Sequence, residues 1–191
     1  MTAASPGPQQ PGDVVALARD GGLAGRWRLD AQASRVEFRV RHFWKTITVR
    51  GRFGQVDGEA TVAPDGAVTG QLVIDAASLA TGNKQRDKHL RSADFFDADN
   101  HPRVVVTVRQ AALAADGRLA AEGTLEAAGT AEPVTFAAEV VEASAEAVTL
   151  RAELAVDRSR FGMTWSPLRI AAMQATGTVT ARFTRVPAGN P

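Results

Sequence analysis

The sequence predicts an all-β fold, a single eight-stranded antiparallel β-barrel, on three observations. Apolar and polar residues alternate with a period of two from Ser34 onward, the mark of strands with one buried face. Asp65-Gly66 and Asp116-Gly117 supply hairpin turns between alternating runs. The runs are roughly nine to thirteen residues long, against about five or six for an ordinary strand, and tight turns between them imply meander order. Eight such strands close into a barrel that holds one small ligand; a two-sheet sandwich is the competing architecture.

The elements follow in order. Val36, Phe38, Val40 and His42 share one face, with Arg35, Glu37, Arg39 and Arg41 on the other. Ile47, Val49 and Phe53 continue inward, and past Gly54-Gln55 the parity flips to Val56, Ala60 and Val62. One extra residue beside glycine is the signature of a β-bulge, so residues 45–63 read as one long bent strand. Val68, Leu72 and Ile74 follow the first Asp-Gly turn, and a strand from about Arg103 carries Val106. Leu119 and Leu125, then Val134, Phe136, Ala138 and Val140, then Val148, Leu150, Ala152, Leu154 and Val156 make the next three inward rows. Met173, Ala175, Val179 and Phe183 make the last. Two segments break the alternation and read as short helical segments. Residues 83–97 begin as a short helix with Asn83 as its N-cap and end at Phe95-Phe96; residues 157–170 are too rich in Gly, Pro and aromatics for a strand. Each reads either as a lid on a barrel mouth or as a connection packing its aromatics on the wall.

With 191 residues the chain suits one domain with a real core. Residues 1–25 read as a flexible tail with a short helix over 13–19, residues 26–186 as the barrel, and 187–191 as a C-terminal tail. The net charge of +1, without a Lys/Arg run, points away from nucleic acid as a partner. No apolar stretch approaches a membrane span, and Val14 to Ala18 is too short for a signal-peptide core, which predicts a cytoplasmic protein without stable membrane insertion. The absence of cysteine removes disulfides, thiolate metal sites and cysteine nucleophiles together.

The segments WRLD (Trp27 to Asp30), SRVEFRVRH (Ser34 to His42) and VRGRF (Val49 to Phe53) resemble the YceI-like family of bacterial lipid-binding proteins. The resemblance runs on through SLAT (Ser78 to Thr81), RDKHLRSADFFD (Arg86 to Asp97), His101-Pro102, GTL (Gly123 to Leu125), PVT (Pro133 to Thr135) and RSRFG (Arg158 to Gly162). In order and spacing it covers about residues 26–186, and the R-D-x-H-L…D-F-F-D block is its most specific part. It implies a lipocalin-like barrel whose pore holds a polyisoprenoid such as a quinone tail. Many members of the family carry a secretory signal, which this sequence does not show.

Catalysis and metal binding find little support. Ser34, Ser78, Ser92, Ser144, Ser159 and Ser166 sit in no nucleophile elbow, and Asp94, Asp97 and Asp99 read as turn caps. His42, His89 and His101 fit no metal-ligand spacing. His89 and Asp87 read as local partners that hold the short helix, and His42 as a polar group at the end of an apolar row, able to meet a ligand headgroup. The chain is therefore expected to be no enzyme, to need no cofactor and to hold no metal.

The apolar faces carry the stronger signal. Gly70, Ala121, Gly123, Ala138, Ala152, Ala175, Gly177 and Ala181 are small inward residues, where a solid barrel would place Leu, Ile or Phe. The expected lumen lining is Phe38, Val40, His42, Val49, Phe53, Leu72, Ile74, Val106, Leu125, Phe136, Ala138, Leu150, Ala152, Leu154, Met173, Ala175 and Val179. Phe95, Phe96, Phe161, Met163 and Trp165 are the lid residues if a lid exists. A twelve-residue strand spans roughly 40 Å, and a tilt near 40° leaves about 30 Å of barrel height, which suits an extended prenyl chain. The expected ligand is a long-chain isoprenoid or similar apolar lipid, a quinone or prenyl precursor, and the expected role is carrier, reservoir or stress-related lipid-binding protein. The alternative is a solid barrel that serves as a protein-interaction module; homodimerisation stays open.

Overall fold

The computed structural model describes residues 16–18, 20–42, 47–114, 116–166 and 171–187. The chain runs β1 (Gly25–Leu29), β2 (Arg35–His42), β3 (Ile47–Phe53), β4 (Val56–Val62), β5 (Val68–Asp75) and β6 (Leu79–Ala80), then helix α1 (Lys84–Arg91). It continues through β7 (Arg103–Leu113), β8 (Arg118–Ala127), β9 (Thr130–Ala143) and β10 (Ala147–Asp157) to β11 (Ala171–Arg185). All pairings are antiparallel, and β11 closes the ring. It pairs with β10 along one edge; on the other edge its first residues pair with β2 and its last with β1.

β1 and β2 thus make one interrupted stave, and β3 and β4 another, because β2 pairs with β3 while β1 pairs with β4. With β5–β6, β7, β8, β9, β10 and β11 this is an eight-stave barrel, the predicted architecture, and a sandwich is excluded by the closure. The predicted bulge lies between β3 and β4. Phe53 pairs with Val36 and Val56 with Ile74, so both face inward three residues apart. The kink is held from outside the ladder: Gly54 N donates to the carbonyl and hydroxyl of Ser78, and Gln55 O accepts from Asp75 N. Both Asp-Gly turns form as expected, each aspartate accepting a bond from the backbone N–H two residues on, with Gly66 and Gly117 at positive φ.

Two expectations are corrected. The sequence reading had no strand before Ser34, yet β1 buries Trp27 and Leu29 and exposes Arg26 and Arg28. That alternation is legible but only five residues long. The tail expected to end at residue 25 also ends earlier, because residues 20–25 are fastened to the barrel. Trp27 Nε1 donates to Leu23 O at 3.0 Å, and Arg185, its Cζ 4.6 Å from the Trp27 ring centre, donates to Gly22 O and Ala24 O. Of the helix expected over 13–19, Ala16 to Ala18 is helical and the rest lies outside the described residues.

α1 begins where predicted, with Asn83 Oδ1 accepting from Arg86 N at 3.0 Å. Its anchor is Thr81. Asp87, buried, accepts from Thr81 N and Oγ1 at 2.9 and 2.5 Å, and Arg86 donates to Thr81 Oγ1 and O. Arg91 reaches back to the carbonyl of the fully buried Leu79. The R-D-x-H-L block therefore clamps the helix to β6. Asp87 and His89 are not partners of each other: His89 Nε2 lies 3.0 Å from Asp94 Oδ2 instead.

Candidate functional site

The inward rows do not fill the barrel. They leave an upper chamber with a cavity volume of about 210 Å³ and a lower one of about 260 Å³. The upper chamber lies at the end closed by the 63–67 turn and the N-terminal segment, since Val62, Gly66, Ala18 and Leu23 line it. The lower chamber lies at the α1 end, lined by Leu90, Phe95, Phe96, Phe161, Met163 and Trp165. Val106, Leu154 and Val179 border both and mark the waist where the two adjoin. A solid interior is not what these staves build.

The expected lining residues separate by height. Leu72, Phe136, Ala138, Leu150 and Ala152 line the upper chamber. Phe38, Val40, Val49, Phe53, Ile74, Leu125 and Ala175 line the lower one, and Val106, Leu154 and Val179 are the waist. Met173 lines neither; it lies in the unpaired stretch where the β11–β2 register shifts between Ala171 and Ala175. The backbone of His42 ends β2, and its side chain lies outside the described residues.

The small inward residues have two different causes. Ala121, Ala138, Ala152 and Ala181 border the upper chamber and Ala175 and Gly177 the lower, where larger side chains would reduce the space. Gly123 borders neither. A Cβ there would stand 1.9 Å from Thr107 O, beside the register shift at Val108 and Gln110. Gly70 borders the upper chamber but is glycine for the same reason, its Cβ position lying 2.7 Å from Glu59 O. Close approach of the neighbouring strand's backbone, not lumen width, sets those two residues.

The five aromatic and methionine residues read as lid or wall close the lower end as packed structure. Phe161 and Met163 are 5% and 6% exposed and belong to the hydrophobic core with Val36, Ile74, Val104 and Leu125. Phe95 and Phe96 pack against that core, Phe96 edge-on to Phe53 at 5.7 Å, while Trp165 stays 43% exposed over His89 and Phe95. The turn that places them starts at Asp157, whose carboxylate accepts from Ser159 N and Oγ, and ends at Gly162 with φ 75°. Those bonds from Ser159 hold the Asp157 carboxyl below the ordinary carboxylate range.

Polar residues are sparse in both linings: Glu59, Thr69 and Gln71 border the upper chamber, and Glu37, Arg86, His89 and Arg158 the lower, which alone of the two has basic side chains among the described residues. Sequence reasoning passed over Arg158. It is 6% exposed, and burial lowers its pKa from the usual arginine value. Its Nε donates to Ala172 O at 3.0 Å and its Nη1 to Met163 O and Trp165 O at 2.5 and 3.0 Å. An arginine in a polar turn carries no local mark of burial; only the fold of the 158–165 turn reveals it. Among the described residues no three His, Asp or Glu side chains converge as a metal site. Asp97 caps its turn, accepting from Asn100 Nδ2, as read.

Comparison with known proteins agrees with this geometry. UPF0312 proteins of Vibrio cholerae and Vibrio vulnificus are 30% and 31% identical over 113 residues, 58% of this chain; the match spans 59% of the length of these relatives. Burkholderia cenocepacia BcnA superposes with a TM-score of 0.73 at 23% identity, covering 81% of this chain and 98% of that structure. A domain of Saccharophagus degradans, described as a polyisoprenoid binding domain implicated in plant cell wall breakdown, gives a TM-score of 0.69 at 18% identity, with 84% and 98% covered. The YceI-like domain model matches residues 27–185, from the Trp27 that β1 buries to the Arg185 that stacks on it, and the chain belongs to that family.

Proposed function

We propose that this protein binds one long apolar lipid in its lumen, an isoprenoid quinone or prenyl precursor, and acts as its carrier or reservoir rather than as an enzyme. The observation that carries the reading is the pair of apolar chambers, one toward each end of the barrel, whose linings share Val106, Leu154 and Val179; a ligand occupying both would be long and apolar rather than a compact metabolite. Each methylene taken from water into such a space contributes about 0.8 kcal/mol, so affinity needs few polar contacts. Membership of a family with a polyisoprenoid-binding structural neighbour supports the same class of ligand. Purification without detergent, organic extraction and mass spectrometry test it. One dominant prenyl lipid near equimolar with protein is expected; a protein that neither carries lipid nor takes up octaprenol in vitro would refute the reading.

A further inference from the structure

The lower chamber contains a buried cation with a donor to spare. Arg158 commits Nε and Nη1 to three backbone carbonyls, while Nη2 has no hydrogen-bond partner among the described residues. No carboxylate among the described residues lies within ion-pair distance of it, although Arg39, Arg160 and Arg182 on the surface all have one. Buried guanidinium groups are ordinarily paired, and an unsatisfied buried donor is a standing cost. Among the described residues the other charged side chains in the lining are Arg86 and Glu37, which together carry no net charge, so they do not neutralise the cation. Among the described residues, none that lines the upper chamber is basic. The two ends of the lumen therefore differ in kind.

We propose that Arg158 is the headgroup site: the lumen takes a single-chain amphiphile with its tail in the upper chamber and an anionic head, phosphate or carboxylate, on Nη2 in the lower. This rests on the lumen reading above and narrows it to a prenyl or acyl chain ending in an anion. The Phe95 ring centre lies 5.6 Å from Cζ of Arg158, so Phe95 is the side chain that a head docking on Nη2 would have to displace. His89 and Trp165, both edge-on to Phe95, frame the same place, and Trp165 borders solvent there. The arrangement is one charge-assisted contact at the end of an apolar path, giving orientation and head selectivity where the walls give neither.

The test uses the full delipidated chain and two matched pairs of probes: geranylgeranyl phosphate with geranylgeraniol, and palmitate with hexadecanol. At least one anion is expected to bind about tenfold or more tighter than its alcohol. The pair with the larger ratio assigns the head as phosphate or carboxylate. That ratio is expected to fall to about one in Arg158→Gln and to hold in Arg39→Gln, whose guanidinium is exposed against Glu153. A ratio taken within one variant cancels any general loosening of the barrel. If Arg158→Gln does not fold, Arg158→Lys, which keeps the charge but loses the second nitrogen, must still reduce the ratio. Equal binding of anion and alcohol by the native protein, or a ratio that survives substitution of Arg158, overturns the headgroup site and leaves the lumen standing. Uptake of none of the four chains overturns both.

Discussion

Ala138 and Ala152 stand directly opposite each other across the β9–β10 pair, and both border the upper chamber. Two alanines facing across a ladder, each flanked by larger inward residues, leave room on the chamber side of that pair. Ala138→Phe or Ala152→Phe sends a ring into that space. Overpacking a filled core costs about 1–3 kcal/mol, whereas filling a void costs less. We expect melting temperatures within about 4 °C of the native protein, together with loss of long-chain lipid. Ala137→Phe and Arg151→Phe, on exposed positions, should leave binding unchanged. A large drop in melting temperature with lipid content intact would mean that the interior is already full.

Gly123→Ala makes the opposite prediction for a residue of the same apparent class. Its new methyl would meet Thr107 O at 1.9 Å, a clash with backbone in which no flexible side chain can give way. A loss of about 3 kcal/mol or more is expected, near 6–12 °C in melting temperature. An unchanged melting temperature would show that the β7–β8 register relaxes to admit a side chain.

The contrast between those two positions marks how far the sequence was legible. Alternation placed Ala138, Ala152 and Gly123 on inward rows, and the first two border the lumen. Periodicity records which face a residue takes, but not how closely the neighbouring strand approaches it, and register shifts occur beside both Gly123 and Met173. The helix cap at Asn83 was legible because capping is local in sequence. Burial of Arg158 was not, since its partners Met163, Trp165 and Ala172 lie on a turn and a strand whose geometry the local sequence does not encode.

Removal of residues 1–24 tests the corrected boundary of the tail. It deletes the carbonyl that Trp27 Nε1 uses and two that Arg185 uses. Each lost partner of a part-buried donor costs about 1–3 kcal/mol where water does not replace it. We expect a fall of roughly 4–12 °C in melting temperature and faster lipid release from the upper chamber, which Ala18 and Leu23 help to line. Wild-type stability and release rate in the truncated chain would show that the segment closes nothing.

Asp157 gives a pH dependence with a definite sign. Its folded pKa is lowered from 3.8 by bonds from Ser159, so its contribution is fully present above the unfolded value and is lost as pH falls through the folded one. Asp157→Ala should therefore melt below the native protein at neutral pH, and the gap should close below about pH 4. A gap that is constant from neutral to acid pH would assign the loss to packing of the 158–161 turn instead of to the carboxylate.

The waist decides whether one chain occupies both chambers. Val106, Leu154 and Val179 come from three different staves and are the only residues common to both described linings. Leu154→Trp adds bulk at that waist, at a cost of about 1–3 kcal/mol in stability. If a single lipid threads the waist, octaprenol affinity should fall by about tenfold or more, since the chain beyond the block loses its burial. Farnesol, short enough for one chamber, should bind within about threefold of its native affinity. Ala155→Trp on the exposed face of the same strand controls for the added ring. Parallel losses for octaprenol and farnesol would point to general damage, and unchanged octaprenol binding would mean that the native ligand never crosses the waist, with each chamber then holding its own occupant.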